Sequence, residues 1–531
     1  MQHSIPFTTQ IAIFLVAILG FSCQPAAEEE PARPNILFAI SDDQSYPSAG
    51  IYGAKELLTP ATDGVAKRGV RFTNAFCAAP QCSPSRAAIL TGLNIWQLEE
   101  AGTHSSYFPR KFPVFTQQLR QSGYQLGYTG KPWGPGNWKD AGWPENPVGP
   151  VFNEINYDTV PYAGINRRNY AANFEAFLEQ RQVDSPFFFW YGCHEPHRVF
   201  EAGSGRKAGK KLANAEVPQF LPEDSVIRDD ILDYNLEIEW FDQHLGRMLS
   251  LLEEKGELEN TIVIITSDNG MAFPSAKANL YEYGTHIPLI MAGPGIVKNE
   301  ERKQVVSLID LAPTLLEMTG AAPLPNISGL SMTSLLSVPS SETPPPQREF
   351  VLTGRERHTH ARPDNFGYPA RAIRTADFLY IHNFDSTRWP AGDPEVKFPA
   401  DHVAPQGFKS MAGGFHDIDP APSKSFILDH REDMPKFYEL AVAKRPQEML
   451  YQIQVDPACI KNLADEPAFL AKKEELKAQL FEALKQQRDP RVLGTGDIFE
   501  SYPRFAGMRE FDGFKERGKY NPKYGKAKLQ D

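Results

Sequence analysis

Asn35-Ile36-Leu37-Phe38-Ala39-Ile40-Ser41-Asp42-Asp43 is an almost unbroken apolar run closed by two adjacent carboxylates. A strand with one wet face alternates polar and apolar residues. An unbroken run is what a strand buried on both faces requires, as in parallel sheets covered by helices on each side. Carboxylates at the end of such a strand are costly unless a cation or hydrogen-bond donors meet them, although an ordinary acidic loop is the simpler reading of this stretch alone. The pattern returns twice. Thr261-Ile262-Val263-Ile264-Ile265-Thr266 runs into Ser267-Asp268-Asn269-Gly270, and Pro186-Phe187-Phe188-Phe189-Trp190-Tyr191 runs into Gly192-Cys193-His194-Glu195-Pro196-His197-Arg198. In open α/β sheets, ligands bind beyond the carboxyl ends of the strands. Asp42, Asp43, Asp268 and Asn269 can therefore reach one site, and as oxygen donors they suit Ca²⁺ or Mg²⁺ better than Zn²⁺. A lone histidine is usually structural, but two histidines and an arginine after a buried strand are harder to dismiss.

Working outward, Cys77-Ala78-Ala79-Pro80-Gln81-Cys82-Ser83-Pro84-Ser85-Arg86 leads into Ala87-Ala88-Ile89-Leu90-Thr91-Gly92. This reads as a loop turning into a helix, with Ser83 as N-cap and Pro84 in the first turn. Cys82 then lies where backbone N–H groups and the helix dipole favour negative charge. Arg86, about one turn on, reaches the same anion. A small buried cysteine beside a surface arginine is the plain alternative. In Tyr128-Thr129-Gly130-Lys131-Pro132-Trp133-Gly134, Lys131 can add fixed positive charge or be a solvated loop lysine.

Cys82-Ser83-Pro84-Ser85-Arg86 with Leu90-Thr91-Gly92 resembles the type I sulfatase signature, C-[S/T]-x-S-R-x-x-x-[L/I]-T-G. The resemblance runs from Asn35 to about Ala464. It implies an α/β fold: an alkaline-phosphatase-like mixed sheet sandwiched by helices, with a smaller α+β C-terminal domain. It implies that a formylglycine-generating maturation enzyme converts Cys82 to 3-oxoalanine, whose hydrate is the nucleophile. Asp42, Asp43, Asp268 and Asn269 match the family's Ca²⁺ ligands, with the modified Cys82 completing the set. Lys131 and Lys277 match the cationic sulfate ligands, Arg86 the residue orienting the hydrate, and His194 the donor of a proton to the leaving group. His197 and Arg198 are implied substrate contacts. Ser267-Asp268-Asn269-Gly270 with Phe273-Pro274-Ser275 and Asn279-Leu280-Tyr281, and His194-Glu195-Pro196-His197-Arg198, are similar to the N-sulfoglucosamine sulfohydrolase (heparan N-sulfatase)-like members. Two departures stand out: Trp133 where most members read His in G-K-x-H, and Lys277 where those members carry Arg. The implied activity is hydrolysis of a sulfate ester or sulfamate on a saccharide, either a glycosaminoglycan such as heparan or an algal polysaccharide. The alternatives are a phosphatase or phosphodiesterase of the alkaline-phosphatase superfamily, and a non-catalytic surface glycan-binding protein, which the missing histidine makes conceivable.

At 531 residues the chain exceeds one ordinary core. The expected division is 1–23 a signal peptide, 24–33 a tether, 34–337 the catalytic α/β domain, 338–347 a Pro-rich linker, 348–490 a C-terminal subdomain, and 491–531 a surface-draped or mobile tail. Ile11 to Phe21 is too short and too isolated for a bilayer span and reads as a signal core. Gly20-Phe21-Ser22-Cys23 looks like a loose lipobox, so Cys23 is the expected lipidation point, against simple cleavage and secretion. Either way the protein is exported: periplasmic, membrane-anchored through lipid, or secreted. Cys77, Cys193 and Cys459 remain and read as buried thiols with at most one bridge. A net charge of −11 argues against nucleic-acid binding. Just after the linker, Arg355, Arg357, His358, His360 and Arg362 cluster; such a run is commonly a solvated face, or here a rim holding the saccharide through His358 and His360.

Overall fold

The computed structural model describes residues 1, 33–54, 56–183, 185–339, 341–342, 348–362, 366–394 and 414–505. The expected signal peptide, the lipidation of Cys23, nearly all of the tether, and the tail beyond residue 505 lie outside them. The strands are β1 (Asn35–Ser41), β2 (Gly69–Phe72), β3 (Ala75–Phe76), β4 (Gln125–Gly130), β5 (Phe187–Gly192), β6 (Thr261–Ser267), β7 (Leu289–Ala292), β8 (Glu300–Arg302), β9 (Val306–Ser307), β10 (Phe350–Arg355), β11 (Ala370–Thr375), β12 (Phe378–Asn383) and β13 (Glu448–Gln452).

Seven of them form one mixed sheet in the order β4-β5-β1-β6-β7-β2-β8. β4, β5, β1 and β6 are mutually parallel, and β7 runs antiparallel to both β6 and β2. The unbroken apolar runs are explained by burial on both faces. Ile36, Phe38 and Ile40 of β1 point to one side, toward the helices Cys82–Thr91, Phe115–Gln121 and Leu311–Thr319. Leu37 and Ala39 point to the other, where Phe241, Leu245, Met248 and Leu252 of the long helix Ser225–Glu254 and Phe174 and Phe177 of the helix Tyr170–Gln180 meet them. Each such fully buried side chain contributes about 1.5–3 kcal/mol relative to exposure.

Register carries this packing to the site. Ile40 pairs with Gly192, Gly130 with Gly192, and Ser41 with Ser267. The four parallel strands therefore end level, and the residues after them emerge at one edge. Gly130 permits the close approach there: its φ is 80°, and a Cβ would lie 1.9 Å from the Gly192 carbonyl oxygen.

The C-terminal part contains a four-stranded antiparallel sheet, β10-β11-β12-β13. One face packs on Leu476, Leu480 and Leu484 of the helix Leu470–Gln486 through Ile373, Tyr380 and Leu450; the other packs on Leu280 and Tyr281. Arg371 and Arg374 interrupt the apolar pattern of β11, yet both are buried in ion pairs. Residues 491–505, expected in a draped tail, are packed in: Arg491 pairs with Glu356 at 2.7 Å and Glu500 at 3.1 Å, and Arg357 donates to the Tyr502 and Pro503 carbonyls. Cys77, Cys193 and Cys459 are buried free thiols, as expected. Among the described residues no helix is long and apolar enough to cross a membrane.

Candidate active site

Asp42 and Asp43 follow β1, Lys131 follows β4, His194 and His197 follow β5, and Asp268 and Asn269 follow β6. Asp43 has φ 75°, a left-handed conformation that is rare for a residue with a side chain and is tolerated where the surroundings over-determine it. Its N–H donates to Asp268 Oδ1 at 3.1 Å, and its carboxylate accepts from Asn269 Nδ2 at 2.7 Å and Lys277 Nζ at 2.6 Å. Lys131 Nζ donates to Asp42 Oδ2. Lys277 also lies 3.4 Å from Asp419.

Cys82 opens its helix rather than preceding it. The N-cap is Gln81, two residues before the expected Ser83. The Ser83 hydroxyl is otherwise engaged: it accepts the Ser105 N–H at 2.8 Å. Arg86, fully buried, donates through Nε to Asp268 at 2.8 Å and through Nη1 to the Lys131 and Pro132 carbonyls. Its Nη2 has no hydrogen-bond partner among the described residues and lies 3.9 Å from Asp42 Oδ1. Trp133 cannot act as a base. Its indole N–H donates to the Ser83 carbonyl at 3.2 Å and its ring packs on Phe108, so it braces the residue beside Cys82.

The electrostatics divide sharply between neighbouring carboxylates. Burial opposes ionisation of Asp42, but Lys131, His197, Arg86 and Lys277 outweigh it and hold Asp42 well below the usual range. Burial pushes Asp43 up to about 6 against the pull of Lys277, and Asp268 up to about 6 with help from Asp42. Burial, aided by Asp42, raises the Cys82 thiol, so the unmodified side chain is held protonated and is a weak nucleophile. Burial and Lys131 depress His194 to about 3, and burial and Lys277 depress His197 to about 4.

Carboxylate oxygens of Asp42, Asp43 and Asp268 lie within 4.8 Å of one another. Asp42 Oδ1 and Asn269 Oδ1 are buried with no hydrogen-bond partner among the described residues. Buried oxygens left unmatched are expensive. A hard divalent cation answers both facts, so this group fits a metal ion held by oxygen.

Of these residues, Asp42 lines a cavity of about 550 Å³ that Cys82, Lys131, His194, His197, Lys277 and His358 all reach. Other expected contacts are not brought to it. Arg198 is buried against Asp230, through bonds of 2.6 and 2.8 Å, and against the Ala272 carbonyl, between Phe200 and Phe273. His360 is buried and lines no part of the cavity. The expected cationic rim is an internal cluster instead. Arg355 and Arg362 both bond Asp417, at 2.8 and 2.7 Å, and Arg357 holds the Tyr502–Pro503 carbonyls. Carboxylate and carbonyl acceptors make the burial of those guanidiniums tolerable, although Arg355 Nε and Arg357 Nε have no hydrogen-bond partner among the described residues.

Sequence reading missed His104, Asp419 and Arg504, which line the cavity, and Arg168, whose Nη1 lies 3.3 Å from His194 Nε2. All four stand on loops without a motif around them. The polar run Thr103-His104-Ser105-Ser106 is buried throughout, and only its density of small polar residues marks it in the sequence.

The Sulfatase family matches residues 34–321 of the chain. The chain belongs to the sulfatase family. It is a sulfuric ester hydrolase by that membership, and the alternative of a non-catalytic binding protein does not stand. Over 511 residues it is 29% identical to human N-sulphoglucosamine sulphohydrolase, covering 88% of this chain and 93% of the relative. It is 26% identical to an ulvan-active sulfatase of Formosa agariphila, covering 85% of this chain and 74% of the relative. Among solved structures, one of a protein in complex with its substrate D-glucosamine-2-N,6-O-disulfate superposes with a TM-score of 0.60 at 20% identity, covering 86% of this chain and 98% of that one; at that identity the likeness speaks for the fold.

Proposed function

We propose that this sulfatase releases sulfate from a sulfated saccharide, as an ester or a sulfamate, at the Cys82 end of the cavity. The observation that carries the proposal is the meeting of Cys82, Lys131, Lys277 and Asp42 on one cavity, with Asp43, Asp268 and Asn269 packed directly behind them. The relatives include an N-sulphoglucosamine sulphohydrolase and an ulvan-active sulfatase, and the cavity offers room for a sugar unit beside its lysines. Asp42, Asp43, Asp268 and Asn269 would hold Ca²⁺, which when bound supplies positive charge to sulfate oxygens. Cys82, converted by a maturation enzyme to formylglycine, would supply the attacking hydroxyl as its hydrate.

The chain's own residues do the rest. Lys131 and Lys277 bind sulfate oxygens in a dry site, where fixed cations act most strongly. Arg86 is locked by Asp268 and the Lys131 carbonyl, so its Nη2 points one way and orients the group at position 82. His194 is neutral in the empty cavity; an entering sulfate adds negative charge beside it and raises its proton affinity, so it can carry the proton that the departing oxygen or nitrogen needs. His197 keeps its Nδ1 proton on the Arg198 carbonyl at 2.6 Å and contacts substrate through the rest of the ring. The leader ending at Cys23 fits export to the cell envelope, with a lipid anchor.

The test is sulfate release by the matured protein from N-sulfoglucosamine, glucosamine 6-O-sulfate and sulfated ulvan oligosaccharides, beside a phosphate monoester. Sulfate release that falls by at least about a thousandfold in Cys82→Ala is expected. Faster turnover of the phosphate ester, or full activity in Cys82→Ala, contradicts the proposal.

A further inference from the structure

His104 and His358 come from distant parts of the chain and meet at the cavity wall, their ring centroids 4.7 Å apart. One nitrogen of His104 is hydrogen-bonded, and one nitrogen of His358 faces a carboxylate from just beyond hydrogen-bond distance. His104 Nδ1 lies 3.0 Å from the His358 carbonyl oxygen. A carbonyl can only accept, so Nδ1 carries the hydrogen and Nε2 is the bare acceptor. The same carbonyl accepts a second bond, from Arg504 Nε at 3.0 Å, which fixes the strand of chain carrying His358. His358 Nδ1 faces the Asp417 carboxylate at 3.6 Å, which favours the proton on that nitrogen and again leaves Nε2 as acceptor. Asp417 is itself held by Arg355, Arg362 and Thr359, so the ring has little freedom to turn.

His104 is only 6% exposed and His358 2% exposed, and both line the cavity. Neither Nε2 has a hydrogen-bond partner among the described residues, and neither is sealed from solvent. What surface these rings keep is therefore turned into the cavity. Asp419, another acceptor, lines the same cavity. Cations on the floor thus suit an anion, while this wall, which Arg504 also lines, presents imidazole and carboxylate acceptors that suit hydroxyl donors. His104 is tied to the nucleophile end as well, because the N–H of the next residue, Ser105, bonds the hydroxyl of Ser83 beside Cys82.

We infer that His104 and His358 form a two-imidazole acceptor pair that receives ring hydroxyls of the sugar whose sulfate lies on the floor. This rests on the saccharide-sulfatase reading above and names the groups on the sugar that it selects. A hydroxyl donated to a buried, pre-oriented acceptor discriminates well, since a substrate lacking it leaves the acceptor unmatched.

The experiment uses the full, matured protein and the methyl glycosides of N-sulfoglucosamine and glucosamine 6-O-sulfate, each with its 3-deoxy and 4-deoxy counterparts. The readout is the ratio of kcat/KM for the parent glycoside to that for the deoxy analogue. The wild type is expected to prefer the parent by about tenfold or more for at least one hydroxyl. In His104→Ala or His358→Ala that ratio collapses toward one, because parent turnover drops while deoxy turnover has less to lose. His104→Gln and His358→Gln, which keep a donor and an acceptor, restore part of the ratio and take over the test if an alanine variant fails to fold. A wild type indifferent to the deoxy changes, or variants that keep its ratio, overturns the pair while leaving sulfatase action intact. A wild type that releases no sulfate from any glycoside brings down the saccharide reading and the pair with it.

Discussion

Two charge clusters in this protein are both buried and ion-paired, and they differ in how completely their acceptor oxygens are met. At the ends of β1 and β6, buried carboxylates face Lys131, Lys277 and Arg86, and Asp42 Oδ1, Asn269 Oδ1 and Arg86 Nη2 are left without hydrogen bonds among the described residues. Around Asp417, by contrast, one carboxylate takes two arginines, a threonine hydroxyl and a backbone N–H. In the first cluster acceptor oxygens still lack partners; in the second the shared carboxylate is fully matched, and the atoms unpartnered among the described residues are the nitrogens Arg355 Nε, Arg357 Nε and His358 Nδ1. The difference teaches that charge density does not mark a site. Unmatched buried acceptor oxygens gathered at the ends of neighbouring strands are the better mark, because folding alone would select against them.

If that contrast is right, the clusters should fail in opposite ways. The largest effect is expected from Lys131→Ala: a loss of about a thousandfold in kcat/KM, or about 4 kcal/mol of transition-state stabilisation, with a small change in the unfolding midpoint. Equal loss of activity and fold would blur the comparison. Asp417→Asn should do the reverse. It strands Arg355 and Arg362 in the interior and should cost about 3–5 kcal/mol of stability, read by denaturant unfolding.

Chelation sharpens the same point. Removing divalent cation should lower the thermal midpoint and abolish sulfate release, and restoring Ca²⁺ at about 100 times its Kd should return about 2.7 kcal/mol of stability. A midpoint indifferent to chelator and Ca²⁺ alike would mean that the open oxygens are not a cation site.

The smallest effect concerns pH and a third buried cluster. Burial works against ionised Glu282, but Arg374 and His286 outweigh it and bring the carboxyl from 4.5 down to about 2. Arg374 clamps both carboxylate oxygens at 2.9 Å, joining β11 to the segment after Lys277. A depressed carboxyl stabilises the fold fully above its unfolded value and loses that contribution as pH falls through the folded value. Stability should therefore decline between pH 4.5 and about 2, and Glu282→Gln should flatten that part of the pH profile. An unchanged acid limb would show that the clamp does not carry it.

The strands β1, β5 and β6 were legible because burial on both faces leaves no alternation to confuse, and the carboxylates after them stood out against that apolar background. Cys82 and Arg86 were legible through their spacing on one helix. His104, Arg168 and Arg504 were not, since each reaches the cavity or His194 only through tertiary packing of a loop whose local sequence carries no period. The arginines near 355–362 misled in the other direction. Their partners Asp417, Tyr502 and Pro503 lie more than fifty residues away, so nothing nearby in sequence announces that the charges are neutralised. Trp133 shows a further limit: its departure from the family motif was plain, but its bond to the Ser83 carbonyl appears only in three dimensions.

The central claim is that position 82 acts as a formylglycine and not as a thiol. Mass spectrometry of the peptide spanning Cys82, taken from protein whose sulfate release has been measured in the same preparation, tests it most directly. The account predicts the mass change of thiol to aldehyde in a fraction that rises in step with specific activity. Full activity from protein whose Cys82 is an unmodified thiol would contradict it.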